Sequence, residues 1–244
     1  MSTDFPKLCM MGERSILVEF RPKIDQKRLK TLLALKNTIQ DYYIKQNVEV
    51  INTYSSLLIN YHPNIEDVYS EVSVVKRLLS GPNIGKNSIP LLFELPVCYH
   101  PKFGIDLEVI SLENQLDIEE IISLHCRHLY TVFFTGFLPG FLYLGGLDKK
   151  LKISRKKIPR LMVEKGAVGI GEDQTGIYPK DSPGGWQIIG NCPLGFFDPD
   201  SVPPSPFSPG DKVRFFPVSL QEYEDIRSSI SAGKYQLQSD VYEE

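Results

Sequence analysis

The sequence has few cysteines, and none of them lie close together. Four cysteines occur in 244 residues, Cys9, Cys98, Cys126 and Cys192, and no two form a Cys-x-x-Cys pair. Disulfide frameworks belong mainly to small secreted domains with dense cysteines. This usage therefore predicts reduced, mostly buried thiols in a cytoplasmic protein. The first fifteen residues also lack an apolar run, so no signal peptide is predicted.

The chain also lacks an excess of positive charge. It carries 27 lysines and arginines against 30 acidic residues, which gives a formal charge of −3. A nucleic-acid partner would normally require a basic face, so no nucleic-acid binding is predicted. One uncharged run, Tyr130 to Leu147, reaches 18 residues, but Pro139 and four glycines interrupt it. It predicts two short buried strands around a turn and no membrane span.

Several catalytic motifs are missing. There is no Gly-x-Ser-x-Gly elbow, and no cysteine has an evident activating partner. The segment Gly81 to Lys86 resembles a phosphate loop, but it is one residue short between its glycines. His125 and His128 lack a third ligand, so no metal site is predicted. His125 is a candidate functional histidine, although packing or capping also explains it. If the chain takes part in catalysis, it is predicted to bind and polarise a substrate, or to act jointly with another polypeptide.

The first third predicts a small α+β domain. The strand Ser15–Phe20 precedes a helix capped by Asp25, the strands at 48–51 and 56–61, and a helix capped by Asn64. This order predicts a ferredoxin-like domain at residues 1–88, with a final strand near Pro90 to Val97. The linker is predicted at 81–90, which is rich in Gly, Pro and Asn.

Residues 89–244 predict a second, mostly β domain. Short helices at 106–115 and 117–128 precede aromatic and β-branched runs separated by Gly and Pro. Twelve of the 18 glycines lie between Gly136 and Gly195, a concentration typical of a closed or nearly closed β-barrel with ordered loops. Ser219 and Glu222 form a capping-box pattern for a last helix, and a loosely held tail is predicted from Gly233.

Polar side chains are embedded in this glycine-rich region. An arginine offers a planar fork for a carboxylate or phosphate, and the amide and hydroxyl groups supply directed hydrogen bonds. The alternative is that the glycines are barrel corners and that Trp186, the only tryptophan, lies in the core. The residues alone leave both interpretations open. The polar set comprises Arg160, Gln174, Thr175, Tyr178, Trp186 and Gln187.

Three segments in fixed order carry a family resemblance. FTGFLPGFLYLGGL, PRLMVEKGAVGIGEDQTGIYP and SPGGWQIIG resemble the carboxyltransferase domain of the subdomain C and D type. That family includes the B subunit of bacterial ATP-dependent 5-oxoprolinase, allophanate hydrolase subunit 1 and the kinase inhibitor KipI. The resemblance extends over nearly the whole chain, from GERSILVEF to PGDKVRFFPV. It implies an α/β domain followed by a cyclophilin-like β-barrel.

The resemblance also implies a function within a complex. The chain is expected to act as the B subunit of 5-oxoprolinase, in direct contact with the C subunit and functionally with the A subunit, and not obviously alone. The reaction would open 5-oxo-L-proline to L-glutamate, with ATP as co-substrate, together with Mg²⁺. The implied alternatives are a KipI-like inhibitor of a sensor histidine kinase and an allophanate-hydrolase-like component.

The resemblance assigns candidate site residues. His125, Arg160 and Gln174 are the catalytic candidates, and Arg160 is the expected anion ligand. The remaining candidates are expected to bind substrate or to face a partner polypeptide: Phe137, Pro139, Gly140, Thr175, Tyr178, Pro183, Gly184, Gly185, Trp186 and Gln187.

The chain departs from the family pattern at several positions. Glu172 stands where a glycine usually follows GIG, Asn191-Cys192 replaces a common Arg-Thr, and Leu142 replaces a more common proline. Glu172 beside an anion site is expected to face solvent or a cation.

Overall fold

The computed structural model describes residues 6–81 and 89–243. The chain divides into two compact units, Met1–Ser88 and Ile89–Glu244. Most of the predicted linker and of the segment that resembles a phosphate loop lies at 82–88, outside the described residues.

The first unit contains a four-stranded antiparallel sheet with two helices. Its elements are β1 (Lys7–Met10), β2 (Ser15–Glu19), α1 (Gln26–Tyr42), β3 (Val48–Asn52), β4 (Ser56–Tyr61) and α2 (Val68–Ser80). The sheet order is β1-β2-β4-β3. Alternate residues of β2 and β4 are buried, as the period-2 pattern predicts, and they pack with Leu32 and Ile39 of α1.

An aspartate caps the N-terminus of each helix of this unit. Asp25 accepts a hydrogen bond from the Arg28 amide at 3.0 Å, which confirms the predicted cap of α1. The predicted cap of α2 is wrong. Asp67, not Asn64, accepts from the Ser70 amide, because the Asn64 side chain instead donates to Glu13.

The strand predicted to complete the first sheet lies in the second unit. Leu91–Val97 pairs in the eight-stranded sheet described below, so the predicted place of this strand was wrong. The edge position beside β2 is filled instead by β1, which the sequence pattern did not predict. The order β2, α1, β3, β4 and α2 is the predicted one, and the ferredoxin-like assignment stays a prediction.

The second unit contains the larger sheet and three helices. Its elements are β5 (Leu91–Val97), α3 (Leu107–Asn114), α4 (Ile118–Arg127), β6 (Leu129–Thr135), β7 (Leu142–Gly145), a 3-10 turn (Lys149–Leu151), β8 (Arg160–Val163), β9 (Ala167–Gly171), β10 (Gln174–Ile177), β11 (Ser182–Gly184), β12 (Gln187–Asn191), β13 (Lys212–Pro217), α5 (Leu220–Ser231) and β14 (Ser239–Val241).

Eight strands form a sheet in the order β12-β9-β10-β7-β6-β13-β5-β14, and β8 pairs with β11 separately. An isolated antiparallel bridge also joins Cys98, directly after β5, to Asn191 at the end of β12. Both backbone hydrogen bonds of this bridge are present, at 2.9 and 3.0 Å. The bridge connects two distant strands of the sheet at one point. A closed cyclophilin-like barrel stays a prediction.

Local predictions for this unit are largely confirmed. The uncharged run forms β6 and β7 as two strands around a turn, and the Ser219–Glu222 capping box is present at α5. The prediction of a loosely held tail from Gly233 is wrong, because β14 in this segment pairs with β5. No helix among the described residues is long and apolar enough to cross a membrane.

Candidate functional site

Trp186 packs over glycines of β9 and β10, which include Gly171 and Gly176. A Cβ atom on Gly171 would lie 2.8 Å from the indole Cδ1, Cε2 and Nε1 atoms, and one on Gly176 would lie 3.0 Å from Cζ3. Real Cβ atoms very rarely make contacts this short, so these strands accept the indole only because the side chains are absent.

The indole belongs to a buried apolar cluster. Trp186 is 4% exposed and makes edge contacts with Phe141 and Tyr143. Tyr178 lies in the same cluster, and burial raises the pKa of its hydroxyl group. The structure thus places Trp186 in a core, which is one of the two interpretations that the residues left open, and Tyr178 lies in the same core.

The Arg160 side chain lies against a buried carboxylate. Its Nη2 atom donates to Asp106 Oδ1 at 2.5 Å, and Nη1 lies 3.4 Å from the Trp186 carbonyl oxygen. Asp106 is 2% exposed, whereas the Arg160 side chain keeps 23% of its surface. The arginine therefore pairs inward through one nitrogen, while part of its side chain still faces solvent.

Asp106 is fixed by several groups at once. Its Oδ2 accepts from the Ile188 amide at 2.6 Å, and its own amide donates to the Ile188 carbonyl oxygen. Lys156 Nζ lies 3.4 Å from Oδ1. Two cations therefore face one carboxylate, which leaves one positive charge in excess at this point.

The sequence did not point to Asp106 as a site residue, because Asp106 was noted only as the first residue of a predicted helix. The available signal was the family-like segment FGIDLEVIS, which contains a single acidic residue before the helix.

A cleft of about 160 Å³ opens beside this ion pair. Arg160 and Lys102 supply its positive charge, and Glu164 supplies a carboxylate. Apolar side chains, including Phe103 and Met162, line other parts of it. Its size and its convergent polar groups suit a small anionic molecule.

Gln174 lies next to a second arginine. Arg155 Nη2 is 3.5 Å from Gln174 Oε1, and the Arg155 guanidinium lies 5.3 Å from the centre of the Trp186 ring. This stacking is a cation–π contact. Arg155 therefore contacts both Gln174 and the Trp186 ring, whereas Arg160 contacts the Trp186 backbone.

His125 lies in the interior, with both ring nitrogens hydrogen-bonded. Nδ1 is 2.7 Å from the Tyr99 hydroxyl, and Nε2 is 3.1 Å from Thr175 Oγ1. Thr175 Oγ1 donates to the Gly169 carbonyl oxygen, so it accepts from His125, and we assign the ring proton to Nε2. Cys126 Sγ donates to the Tyr99 hydroxyl at 3.4 Å. A continuous chain of donors therefore runs through the core from α4 to β9.

Burial holds this imidazole neutral. His125 is 0% exposed and stacks on Phe215 at 4.6 Å. Desolvation, with a smaller contribution from His128, lowers the pKa of His125 to about 3. The structure does not bring His125 or Thr175 to the surface cleft, so contact of either with a substrate there stays an untested prediction.

The loop between β6 and β7 lines a different surface depression from the cleft beside Arg160. Phe137 has φ +68° and is 63% exposed, and Gly140 has φ +83°. A Cβ on Gly140 would lie 2.8 Å from the Phe196 carbonyl oxygen, which explains the glycine. Pro139 and its neighbours 135–140 line a shallow depression of about 290 Å³.

The SPGGW segment forms β11 and the turn into β12. Pro183 is exposed, and the Gly185 carbonyl oxygen accepts from the Lys156 amide at 2.7 Å. A Cβ on Gly184 would lie 2.5 Å from the Tyr178 hydroxyl oxygen. Gln187 is buried, with Nε2 donating to the Ser154 carbonyl oxygen. These contacts tie the 154–156 backbone to β11 and β12.

The departures from the family pattern have structural roles. Glu172 adopts φ +60° in the β9–β10 turn, a region that favours glycine. Asn191 Oδ1 accepts from the Tyr223 hydroxyl at 2.9 Å, and Nδ2 donates to the Lys165 carbonyl oxygen. Burial raises the pKa of Cys192 to about 12, which keeps that thiol protonated. Asn191 and Cys192 are therefore interior residues.

The comparisons with known proteins agree in one family. A family model described as carboxyltransferase domain, subdomain C and D, matches residues 6–207. The B subunit of 5-oxoprolinase from Haemophilus influenzae is 45% identical over 86% of this chain and 97% of its own length. The Bacillus subtilis protein of that name is 32% identical over 87% and 93%. Urea amidolyase of Saccharomyces cerevisiae is 28% identical over 93% of this chain, but the match covers 12% of that protein.

Solved structures give the same fold. A conserved uncharacterized protein of Pyrococcus horikoshii is 39% identical, with a TM-score of 0.53 over 89% of this chain and all of that chain. The urea amidolyase of K. lactis gives a TM-score of 0.81 at 20% identity over 96% of this chain, which is evidence for the fold alone. Only 16% of that enzyme is covered, and another solved relative is covered to 40% of its length.

The family model covers most of the chain, and two relatives above 30% identity match it over nearly their full lengths. The chain therefore belongs to the carboxyltransferase family of the subdomain C and D type.

Proposed function

We propose that this chain is the B subunit of an ATP-dependent 5-oxoprolinase, which opens 5-oxo-L-proline to L-glutamate together with the C and A subunits. The observation that carries the proposal is the identity of up to 45% with B subunits of 5-oxoprolinase, over 86–87% of this chain. A match along nearly the whole length of those relatives supports a shared role more strongly than a shared motif would.

The cleft beside Arg160 is the part of this chain that we assign to the reaction. Arg160 and Lys156 together exceed the charge of Asp106, and Arg160 lines the cleft. The N–H groups of a guanidinium fit a carboxylate or phosphate oxygen. Both 5-oxoproline and ATP carry such oxygens. The Asp106 contact holds the guanidinium in one orientation, so that little side-chain entropy is lost when the anion binds.

The chain contributes binding and polarisation. A lactam is a poor electrophile. Transfer of a phosphoryl group from ATP to its oxygen, with release of ADP, would let one water molecule add to the ring carbon, after which the C–N bond breaks and the amine takes up a proton. A second water molecule would then hydrolyse the remaining acyl phosphate to the carboxylate and inorganic phosphate. A positive charge beside the lactam oxygen stabilises the charge that develops there. Burial raises the pKa of the Cys98, Cys126 and Cys192 thiols, which weakens them as nucleophiles. We therefore assign the remaining catalytic groups to the companion polypeptides.

ATP is the co-substrate of the proposed reaction, and Mg²⁺ is the ion that accompanies ATP. No group of three or more His, Cys, Asp or Glu side chains among residues 6–81 and 89–243 is placed to hold a metal. Asp106, the buried carboxylate of the site, is already bound to Arg160 and the Ile188 amide. These residues do not fit a resident Mg²⁺, and no step of the reaction is assigned to one.

A second candidate is a polypeptide that acts on allophanate. The likeness to yeast urea amidolyase over 93% of this chain favours it, because an amidolyase also breaks carbon–nitrogen bonds of amide type. The cleft beside Arg160 would bind the carboxylate of allophanate, a carboxylated urea, as well as the carboxylate of 5-oxoproline. The lower identity of 28% and the small share of the yeast enzyme that is matched place this candidate second.

Reconstitution separates these candidates. Purified chain is combined with the companion C and A subunits, and glutamate formation is measured with 5-oxoproline and ATP. Ammonia release from allophanate is followed in a parallel reaction. We expect ATP-dependent glutamate only when the chain is present, and no response to allophanate. Equal glutamate formation without the chain would refute the proposal.

A further inference from the structure

The strand β8 carries large apolar side chains on both of its faces. Leu161 is 90% exposed and Met162 is 63% exposed, although successive strand residues point in opposite directions. Ile158, directly before this strand, is 83% exposed. A strand that packs on one face only would alternate between buried and exposed residues. Three exposed aliphatic residues within five positions therefore form an apolar ridge, which we define as Ile158, Leu161 and Met162.

One hydrogen-bonding edge of this strand pairs with no other strand among the described residues. β8 pairs with β11 alone, as a two-stranded sheet, through Ser182 opposite Val163 and Gly184 opposite Arg160. An edge of this kind, with exposed apolar side chains, is a template for an added strand. The ribbon is nevertheless held firmly, because Val163 is buried and Arg160 is bound to Asp106. A rigid, preformed edge lowers the entropy cost of binding.

The chain beside the ridge is strongly basic. Residues 149–160 contain seven lysines and arginines and no acidic residue, in a chain whose formal charge is −3. Within the described part of the chain, Lys149, Lys152, Arg155 and Lys157 have no carboxylate within ion-pair distance. The charge beside the ridge is thus largely uncompensated, and it complements an acidic partner.

We propose that β8 is the docking edge for the C subunit of the 5-oxoprolinase complex, so this inference rests on the proposed function. The partner contributes an extended segment that pairs with β8, places apolar side chains against Leu161 and Met162, and carries Asp or Glu opposite residues 149–157. A second copy of this chain fits less well, because symmetric pairing at β8 would bring two sets of seven cations together.

The docking edge adjoins the proposed anion cleft. Arg160 is the first residue of β8, and Met162 lines the cleft together with it. A partner strand on β8 would therefore cover the cleft mouth and bring its own side chains to the same point. This arrangement accounts for a chain that binds an anion without an activated nucleophile of its own.

The test uses the full chain with charges placed on the ridge. We compare the wild-type protein with the double variant L161E/M162E and with the control L112E, which changes a leucine of α3 that is 81% exposed. Affinity for the purified C subunit is measured by titration, and glutamate formation is measured in the reconstituted complex. Amide hydrogen exchange at 160–163 is followed with and without the companions.

We expect L161E/M162E to raise the Kd for the C subunit about 30-fold or more, while L112E stays within about twofold of wild type. Protection at 160–163 should rise on complex formation, and the affinity should fall with added salt. If wild type restores glutamate formation but L161E/M162E binds the C subunit like L112E, the proposed docking edge is wrong and the proposed function stands. If wild type itself neither binds nor restores activity, both are overturned.

Discussion

The Arg160 guanidinium and the Asp106 carboxylate meet at 2.5 Å, although 54 residues separate them in the chain. Asp106 also accepts from the Ile188 amide, so one buried carboxylate ties the start of α3 to β8 and β12. A buried charge must be paired, and here the pair also orients the residue that we assign to anion binding.

Removal of the Asp106 carboxylate should destabilise the second unit strongly. In D106A the Ile188 amide loses its acceptor and Arg160 loses its partner, and breaking such a buried pair costs about 3–5 kcal/mol. Urea unfolding followed by circular dichroism measures the loss. The control is E94A, which removes an exposed partner of Arg214 and should cost less than about 1 kcal/mol. Equal losses in the two variants would contradict the account.

A methyl group on Gly171 should disturb the indole of Trp186. The added Cβ would lie 2.8 Å from three ring atoms, and overpacking of this kind costs about 1–3 kcal/mol. Trp186 is the only tryptophan, so its fluorescence reports the shift directly. G195A is the matched control, because nothing lies within 4 Å of the Cβ position there. An unchanged emission spectrum and stability in G171A would refute the packing described.

Glycine at position 172 should stabilise the protein. Glu172 has φ +60°, and a non-glycine residue in this region costs about 1 kcal/mol. The variant E172G should therefore raise the free energy of unfolding by a similar amount, as measured by urea titration. D173G, next in the same turn and without a positive φ, should not stabilise. A loss of stability in E172G would contradict this expectation, and would show that a favourable contact of the Glu172 side chain outweighs the backbone strain.

His125 should make the protein less stable in acid. Its pKa is lowered from 6.5 to about 3, so between these values the unfolded chain binds a proton that the folded chain does not. Stability contributed by neutral His125 is present above pH 6.5 and is lost as the pH falls. The slope reaches about 1.4 kcal/mol per pH unit.

Unfolding titrations from about pH 6.5 to 4 test this dependence. They should show a shallower slope in H125Q, whereas H62Q, at an exposed histidine, should follow wild type. Identical slopes in H125Q and wild type would contradict the burial of a neutral imidazole.

Local patterns predicted much of the fold. Alternation in β2 and β4, the Asp25 cap and the Ser219–Glu222 capping box depend on neighbours a few residues apart. The place of Leu91–Val97 was wrong because strand pairing is decided by contacts with β13, more than 100 residues later. Sequence spacing carries no direct signal for such a pairing.

The candidate site, like the fold, was predicted only in part from local sequence. Arg160 was predicted from its chemistry, and it does lie at a cleft, but its partner Asp106 came from a distant segment. Trp186 was expected to bind substrate or to face a partner polypeptide, yet the glycines on β9 and β10 make room for it inside an apolar cluster. Glycines that admit a ligand and glycines that admit a side chain give the same sequence pattern.

The most direct test of the account is the kinetics of the Arg160 variant in the reconstituted complex. R160K keeps a positive charge beside Asp106 but loses the planar fork, and R214A is the control at an exposed arginine. A lost charge-assisted hydrogen bond is worth about 1.5–3 kcal/mol. We therefore predict that kcat/KM for 5-oxoproline or for ATP falls about 10- to 100-fold in R160K and stays unchanged in R214A. A folded R160K variant with wild-type kcat/KM for both substrates would contradict the account.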